Sequence, residues 1–197
     1  LYKPKTFYYT DAISDNAAAF IDEHFTQTPE KPLFQYVAYT APHWPLHARE
    51  ADIAKYRGRF AAGWDELRRQ RLERMVGMGL IDESWQMSPR DPAVPPWEDE
   101  PNKAWQQRRM EVYAAQIDCM DQGIGRILDA LRRHGQLDNT LIFFLADNGG
   151  CAEELAEPWS TWVAEKESGS GWQTPDGRAI QYGNDPAVMP GDESTYQ

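Results

Sequence analysis

The stretch Leu141-Ile-Phe-Phe-Leu-Ala-Asp-Asn-Gly-Gly150 decides how this chain of 197 residues is interpreted. Its five consecutive large apolar residues are too few for a separate helix and are typical of a strand buried on both faces, as in a parallel sheet. The run ends at Asp147 and Asn148, and the two glycines that follow allow a turn. Because ligands of open α/β sheets bind beyond the carboxyl ends of the strands, this point is a candidate site.

Asp147 and Asn148 admit two interpretations from the residues alone. A carboxylate oxygen beside an amide oxygen suits a hard cation such as calcium, which prefers oxygen ligands. The sequence Asp-Asn-Gly is equally typical of a plain turn that binds nothing. Both interpretations stay open at this level.

A second buried strand is predicted over residues 33–39, which are rich in aromatic and aliphatic side chains, and a stiff loop follows it. Pro42 and Pro45 exclude a helix in this loop and hold it extended or turned. His43 is therefore displayed at the carboxyl end of a strand, the same kind of position that Asp147 occupies. We expect the two groups to share one site if the strands are neighbours in the sheet.

The remaining pattern is largely helical. Apolar residues at three- and four-residue spacing predict a long helix over 103–134, with Gly135 as its C-terminal cap. Gly123 and Gly125 cost about 1 kcal/mol each in a helix interior, which a close approach to another backbone would explain. Further helices are predicted from Thr10 or Asp11 to residues 24–25, over 50–58 and over 61–80, with an irregular proline-rich loop at 88–102 and a short strand at 179–182. The alternation of helices and strands predicts an α/β fold.

Composition limits the classes of partner. The net charge of −11 and the pI near 4.8 argue against nucleic acid and anionic membranes as main partners. A small anionic substrate remains compatible, because a metal ion dominates the field of its own site. No apolar run approaches the ~20 residues of a membrane span, so none is predicted. Cys119 and Cys151 are too few for a disulfide framework.

Several segments resemble the type I sulfatases, in the arylsulfatase branch of the alkaline-phosphatase-like superfamily. They are Ala41-Pro-His-Trp-Pro-Leu-His-Ala48, Tyr113-Ala-Ala-Gln-Ile-Asp-Cys-Met-Asp-Gln-Gly-Ile-Gly-Arg-Ile-Leu128, Thr140–Gly150 and Gly183-Asn-Asp-Pro-Ala-Val-Met-Pro-Gly191. The resemblance implies an α/β, sulfatase-like fold in which helices flank a central, mostly parallel β-sheet, incomplete in this chain. Residues 1–197 are then expected to be the middle part of a catalytic domain, with an α/β core portion at 1–150 and a loop-rich portion at 151–197.

The resemblance also implies hydrolysis of a sulfate monoester at a calcium site. Asp147 and Asn148 match two metal ligands of the family. His43 matches the histidine that hydrogen-bonds the sulfate or assists the departing oxygen, so it is expected to be both catalytic and substrate-binding. His47 has no assured family role and is interpreted as structural or as a neighbour of the substrate. The expected substrate is a small-molecule or carbohydrate sulfate ester, and the expected location is periplasmic, extracellular or lysosomal.

The chain departs from the family pattern in ways that restrict these expectations. It has no Cys-x-Pro-x-Arg motif, the source of the formylglycine nucleophile, and no paired aspartates to complete the metal site. Calcium takes about 6–8 oxygen ligands, of which two side chains are recognisable here. The missing groups are expected in an absent N-terminal part, so this piece alone should be inactive. A phosphodiesterase or phosphonate hydrolase of the same superfamily, and a non-catalytic binding protein that retains the fold, are the alternatives.

Overall fold

A computed structural model describes residues 7–150, 173–174, 176–182 and 185–196 of the chain. In that part of the chain the helices are α1 (Tyr9–Gln27), α2 (Glu50–Ile53), α3 (Gly63–Gly77) and α4 (Lys103–Arg133), and the strands are β1 (Gln181–Tyr182) and β2 (Thr195–Tyr196). Short 3₁₀ turns occupy Ala54–Tyr56, Trp97–Asp99 and Leu137–Asn139. No helix among these residues combines the length and apolar character needed to cross a membrane.

The helical predictions are largely confirmed. The long helix is α4, and Gly135 follows it with a φ of +65°, the left-handed conformation that glycine adopts at little cost. The predicted start of α1 at Thr10 or Asp11 is slightly late, because the helix begins at Tyr9 and Thr10 lies buried inside it. The predicted helix at 50–58 is shorter, since α2 continues only as a 3₁₀ turn.

The packing of α1 against α4 forms the centre of the described structure. Near one end of the pair, Ile21 of α1 is buried with Ala130 and Leu131 of α4. Gly123 lies where α1 packs tightly against α4, since a Cβ at this position would lie 2.0 Å from the Ser14 hydroxyl oxygen. The close approach of the Ser14 side chain, and not of another backbone as predicted, therefore explains Gly123. It does not explain Gly125, where a Cβ would meet no atom of the described residues within 4 Å.

Residues 33–39 lie across this helix pair without the predicted strand pairing. Burial alternates along them with a period of two, as in extended chain. The Gln35 side chain donates to the Ala17 carbonyl of α1 at 3.1 Å, whereas Phe34 and Tyr36 on the opposite face are 93% and 83% exposed. The prediction of a buried, paired strand is therefore wrong for this structure, because no described strand lies alongside to form a ladder.

Residues 141–145 are exposed throughout, so the second predicted buried strand is also wrong for this structure. Leu141 and Leu145 are 80% and 82% exposed. Burial on both faces requires neighbouring strands and covering helices, which the described residues do not place around this run. The two described strands form a parallel pair, β1–β2, with Gln181 opposite Thr195, and an isolated antiparallel bridge joins Gln173 to Ala179. The central parallel sheet is thus not observed in the described part of the chain.

Candidate functional site

His43 lies in the loop formed by residues 40–49, called the histidine loop below. Its backbone N–H donates to the Thr40 carbonyl at 2.9 Å, which closes a turn. The exposed imidazole contacts the Trp44 carbonyl through Nδ1 at 2.7 Å, and its ring lies 5.3 Å from the Trp44 ring. Because a carbonyl only accepts, Nδ1 carries a proton in this arrangement. The other nitrogen, Nε2, makes no hydrogen bond to any residue in the described part of the chain.

Four separate parts of the chain hold the second half of the histidine loop. The Gln116 amide of α4 donates to the Pro45 carbonyl at 3.4 Å, and the Tyr8 hydroxyl donates to the His47 carbonyl at 2.9 Å. The C-terminal residues 185–196, called the C-terminal segment below, accept from the backbone of Ala48 through the Gly191 carbonyl at 3.0 Å. Arg49 then joins the loop to charged groups on α1 and α2.

Asp52 is the centre of this charged group, although its side chain is almost fully buried. It accepts from Arg49 and Lys55 at 2.8 Å each and from the Cys119 thiol at 3.2 Å. Burial by itself would raise the pKa of Asp52, but these hydrogen bonds outweigh it and hold the pKa at about 2. Arg49 also pairs with Asp11 of α1 at 2.6 Å. Through these contacts Arg49, the last residue of the histidine loop, is connected to α1, α2 and α4.

Cys119 is fully buried and has no feature of a nucleophile. Burial raises the pKa of its thiol to about 11, and the neighbouring Asp52 carboxylate adds to the effect. A reactive cysteine needs the opposite, a lowered pKa that favours the thiolate. Cys119 is therefore a buried residue of the core, whereas Cys151 lies outside the described residues.

Asp147 and Asn148 lie in an exposed turn, and the backbone N–H of Asn148 donates to the Asp147 carboxylate at 3.1 Å. Their oxygens have the chemistry that calcium prefers, but they are two donors where about 6–8 are needed. The described residues contain no group of three or more His, Cys, Asp or Glu side chains able to hold a metal. No hydrogen bond or ion pair joins His43 to either residue in the described part of the chain. Their convergence on one ion stays a prediction.

The residues that hold the histidine loop were not predicted from the sequence. Arg49, Asp52 and Lys55 follow one another at three-residue spacing, a pattern that brings opposite charges together on a helix and could have indicated the cluster. Gln116 carried no such signal, since a polar residue on a helix is usually solvated. The oxygen of its side-chain amide is buried without a hydrogen-bond partner among the described residues.

Comparison with known proteins gives a consistent result. The sulfatase family model matches residues 1–185. The chain is similar to an uncharacterized sulfatase of Schizosaccharomyces pombe, with 38% identity over 148 residues, which is 74% of this chain and 26% of that protein. It is also similar to an arylsulfatase of Klebsiella aerogenes, with 34% identity over 149 residues, covering 74% of this chain and 31% of that protein.

A third relative is a putative extracellular sulfatase of Caenorhabditis elegans, 24% identical over 149 residues, which are 72% of this chain and 18% of that protein. The chain thus matches between about a quarter and a third of the length of the two more similar relatives.

Proposed function

This chain belongs to the sulfatase family, and on that premise we propose that the whole protein hydrolyses a sulfate monoester. The observation that carries the proposal is the display of His43, an exposed imidazole on a loop held at several points. An arylsulfatase among the relatives supports the same reaction class. The acidic composition of the chain is compatible with an anionic substrate where a cation is part of the site.

The proposed role of His43 follows from its two ring nitrogens. With Nδ1–H donating to the Trp44 carbonyl, the ring has a fixed orientation. When the imidazole is protonated, Nε2–H becomes a second donor, which can bind a sulfate oxygen or give its proton to the departing ester oxygen. Since the S–O bond breaks with negative charge on that oxygen, the proton transfer stabilises the leaving group. Histidine is the side chain that most often supplies such a proton in enzymes.

Asp147 and Asn148 are proposed as two of the calcium ligands. A carboxylate and an amide oxygen at the end of a predicted strand support this role, and the remaining ligands are expected outside residues 1–197. When bound, calcium would neutralise charge on the sulfate oxygens and orient the ester.

We further propose that residues 1–197 are the middle part of a catalytic domain, with a core portion at 1–150 and a loop-rich portion at 151–197. The chain matches 26% and 31% of the length of two relatives, which supports its being part of a longer protein. The formylglycine nucleophile is then supplied from elsewhere in the protein, and residues 1–197 alone do not hydrolyse the sulfate ester. The substrate is a small-molecule or carbohydrate sulfate ester. A location outside the cytoplasm is supported by the name of one relative, a putative extracellular sulfatase.

The direct test compares the full-length gene product with the 197-residue chain. We expect the full-length protein to release 4-nitrophenol from 4-nitrophenyl sulfate in a calcium-dependent reaction, and the 197-residue chain to release none. Faster hydrolysis of bis(4-nitrophenyl) phosphate would instead identify a phosphodiesterase of the same superfamily. Binding of either ester without turnover would identify a binding protein that retains the fold.

A further inference from the structure

His47 connects the histidine loop to the opposite end of the chain. Its ring nitrogen Nε2 donates to the Thr195 carbonyl, a contact between residues 148 positions apart. Thr195 is buried, and the His47 ring is largely covered. Because the acceptor is a carbonyl, the proton of the neutral ring is on Nε2. The contact is therefore a specific tether between the histidine loop and strand β2, which are remote in sequence.

Further hydrogen bonds surround this tether. The Ala48 N–H donates to the Gly191 carbonyl at 3.0 Å, and the Gly191 N–H donates to the Thr195 hydroxyl at 3.2 Å. The Tyr8 hydroxyl donates to the His47 carbonyl at 2.9 Å. The side chain and the backbone of His47 are thus held by different parts of the chain.

The C-terminal segment is itself attached to α4, so it forms a firm support for the loop. The Trp105 indole N–H donates to the Val188 carbonyl at 3.0 Å, and the Arg108 guanidinium donates to the Pro190 carbonyl at 2.8 Å. Both residues belong to the first turns of the longest helix in the described part of the chain. A movement of His47 together with Thr195 would therefore have to break the hydrogen bonds that attach the C-terminal segment to α4.

We propose that His47 is a positioning residue, whose hydrogen bond to Thr195 sets the location of the His43 imidazole relative to the sulfate ester. This inference rests on the proposed function of His43. Only three residues separate the two histidines, and Pro45 between them restricts the backbone, so a shift at one is transmitted to the other. A misplacement of about 1 Å in a catalytic group can cost about 100-fold in rate.

The electrostatic surroundings of His47 agree with a positioning role. Burial lowers the pKa of His47, although the Thr195 carbonyl and the Glu193 and Asp192 carboxylates favour the charged form. A lowered pKa favours the neutral ring, which keeps one N–H donor on Nε2 for the Thr195 carbonyl. This is the behaviour expected of a structural tether.

The test measures kcat and KM of the full-length protein on two esters that differ in leaving group. These are 4-nitrophenyl sulfate, whose departing oxygen needs little protonation, and phenyl sulfate, whose departing oxygen needs more. His47→Leu removes the N–H donor, and His47→Gln keeps an N–H near the same place. His24→Leu is the matched control, because the His24 ring also contacts a backbone carbonyl, that of Lys31 at 2.9 Å, away from the histidine loop.

We expect His47→Leu to lower kcat by about 10- to 100-fold for phenyl sulfate and by much less for 4-nitrophenyl sulfate, because a misplaced His43 matters most where the proton is needed. His47→Gln should recover most of the loss, and His24→Leu should leave both values unchanged. His47→Asn has a side chain too short to reach the Thr195 carbonyl, so it should show the same selective loss of kcat for phenyl sulfate. It replaces His47→Leu in the test if that variant does not fold.

An equal loss on both esters, or a His47→Leu enzyme that behaves like His24→Leu, would overturn the positioning role while leaving the sulfatase assignment intact. A wild-type protein that hydrolyses neither ester would refute the proposed function itself, and the inference with it.

Discussion

The Ser14 hydroxyl of α1 occupies the space that a side chain at Gly123 of α4 would need. A Cβ at position 123 would lie 2.0 Å from the Ser14 Oγ and 2.9 Å from the Ser14 Cβ. Rotation of the hydroxyl relieves only the first of these contacts, and the same hydroxyl is hydrogen-bonded to Tyr39 at 2.8 Å. Residue 123 therefore determines how closely the two long helices approach.

We expect Gly123→Ala to lower the free energy of unfolding of the full-length protein by about 1–3 kcal/mol, the usual cost of overpacking. Gly125→Ala is the matched control, since it has open space and should gain up to about 1 kcal/mol from helix propensity. Urea unfolding followed by far-UV circular dichroism measures both variants. Equal effects of the two substitutions would contradict the packing shown for Gly123.

Asp52 should make folding stability depend on pH in the acid range. Its pKa in the folded protein is about 2, below its usual value near 4, so the stabilisation is fully present above pH 4. It is lost as the pH falls from about 4 to about 2, and amounts to roughly 2 kcal/mol. In Asp52→Asn this part of the pH dependence should disappear, as measured by urea unfolding at pH 3 and pH 6. Glu23→Gln, at an exposed carboxylate of α1, should keep it.

His43→Asn should lower kcat of the full-length protein for phenyl sulfate by about 100- to 10,000-fold, the range of general acid–base catalysis. The loss should be smaller for 4-nitrophenyl sulfate, because its leaving group departs without a proton. His134→Asn is the control that should retain activity. His134 lies at the end of α4 and is hydrogen-bonded to Asp22 of α1. Retained activity in His43→Asn would show that His43 has no catalytic role.

Asp147→Ala should weaken calcium binding by the full-length protein and reduce turnover at least about 100-fold. Loss of a residue that only hydrogen-bonds a metal ligand already lowers metal affinity or activity by about 10- to 100-fold. Isothermal titration with calcium chloride measures the binding directly. Asp138→Ala removes an exposed carboxylate a few residues earlier and should change neither quantity. Unchanged calcium affinity in Asp147→Ala would favour the alternative of a plain turn.

The 197-residue chain should self-associate, because it exposes apolar side chains that a soluble monomer normally covers. Phe143 and Phe144 are 75% and 71% exposed, beside Leu141 and Leu145. Phe143→Lys should reduce association in sedimentation velocity, whereas Phe20→Lys, at an exposed position on α1 outside this run, should have little effect. A monomeric chain with one cooperative thermal transition would contradict this expectation.

Helices were the predictable part of the fold, because their signal is local. The spacing of apolar residues located α4 to within one residue, and glycine at position 135 marked its end. The predicted strands at 33–39 and 141–145 required neighbouring strands and helices to bury them. The described residues do not place such elements around these two runs. An apolar run indicates that burial is required, but it does not identify the groups that bury it.

The sequence by itself determined the family, the long helices and the candidate site residues His43, Asp147 and Asn148, since each depends on residue types at fixed spacing. Only the tertiary structure revealed that Asp52 accepts from Cys119, 67 residues away, and that His47 reaches Thr195, 148 residues away. Such contacts have no local signal, because the chain folds back through helices and loops before the partners meet. The physical reason is that hydrogen bonds and packing act through space, whereas spacing patterns report only neighbours along one element.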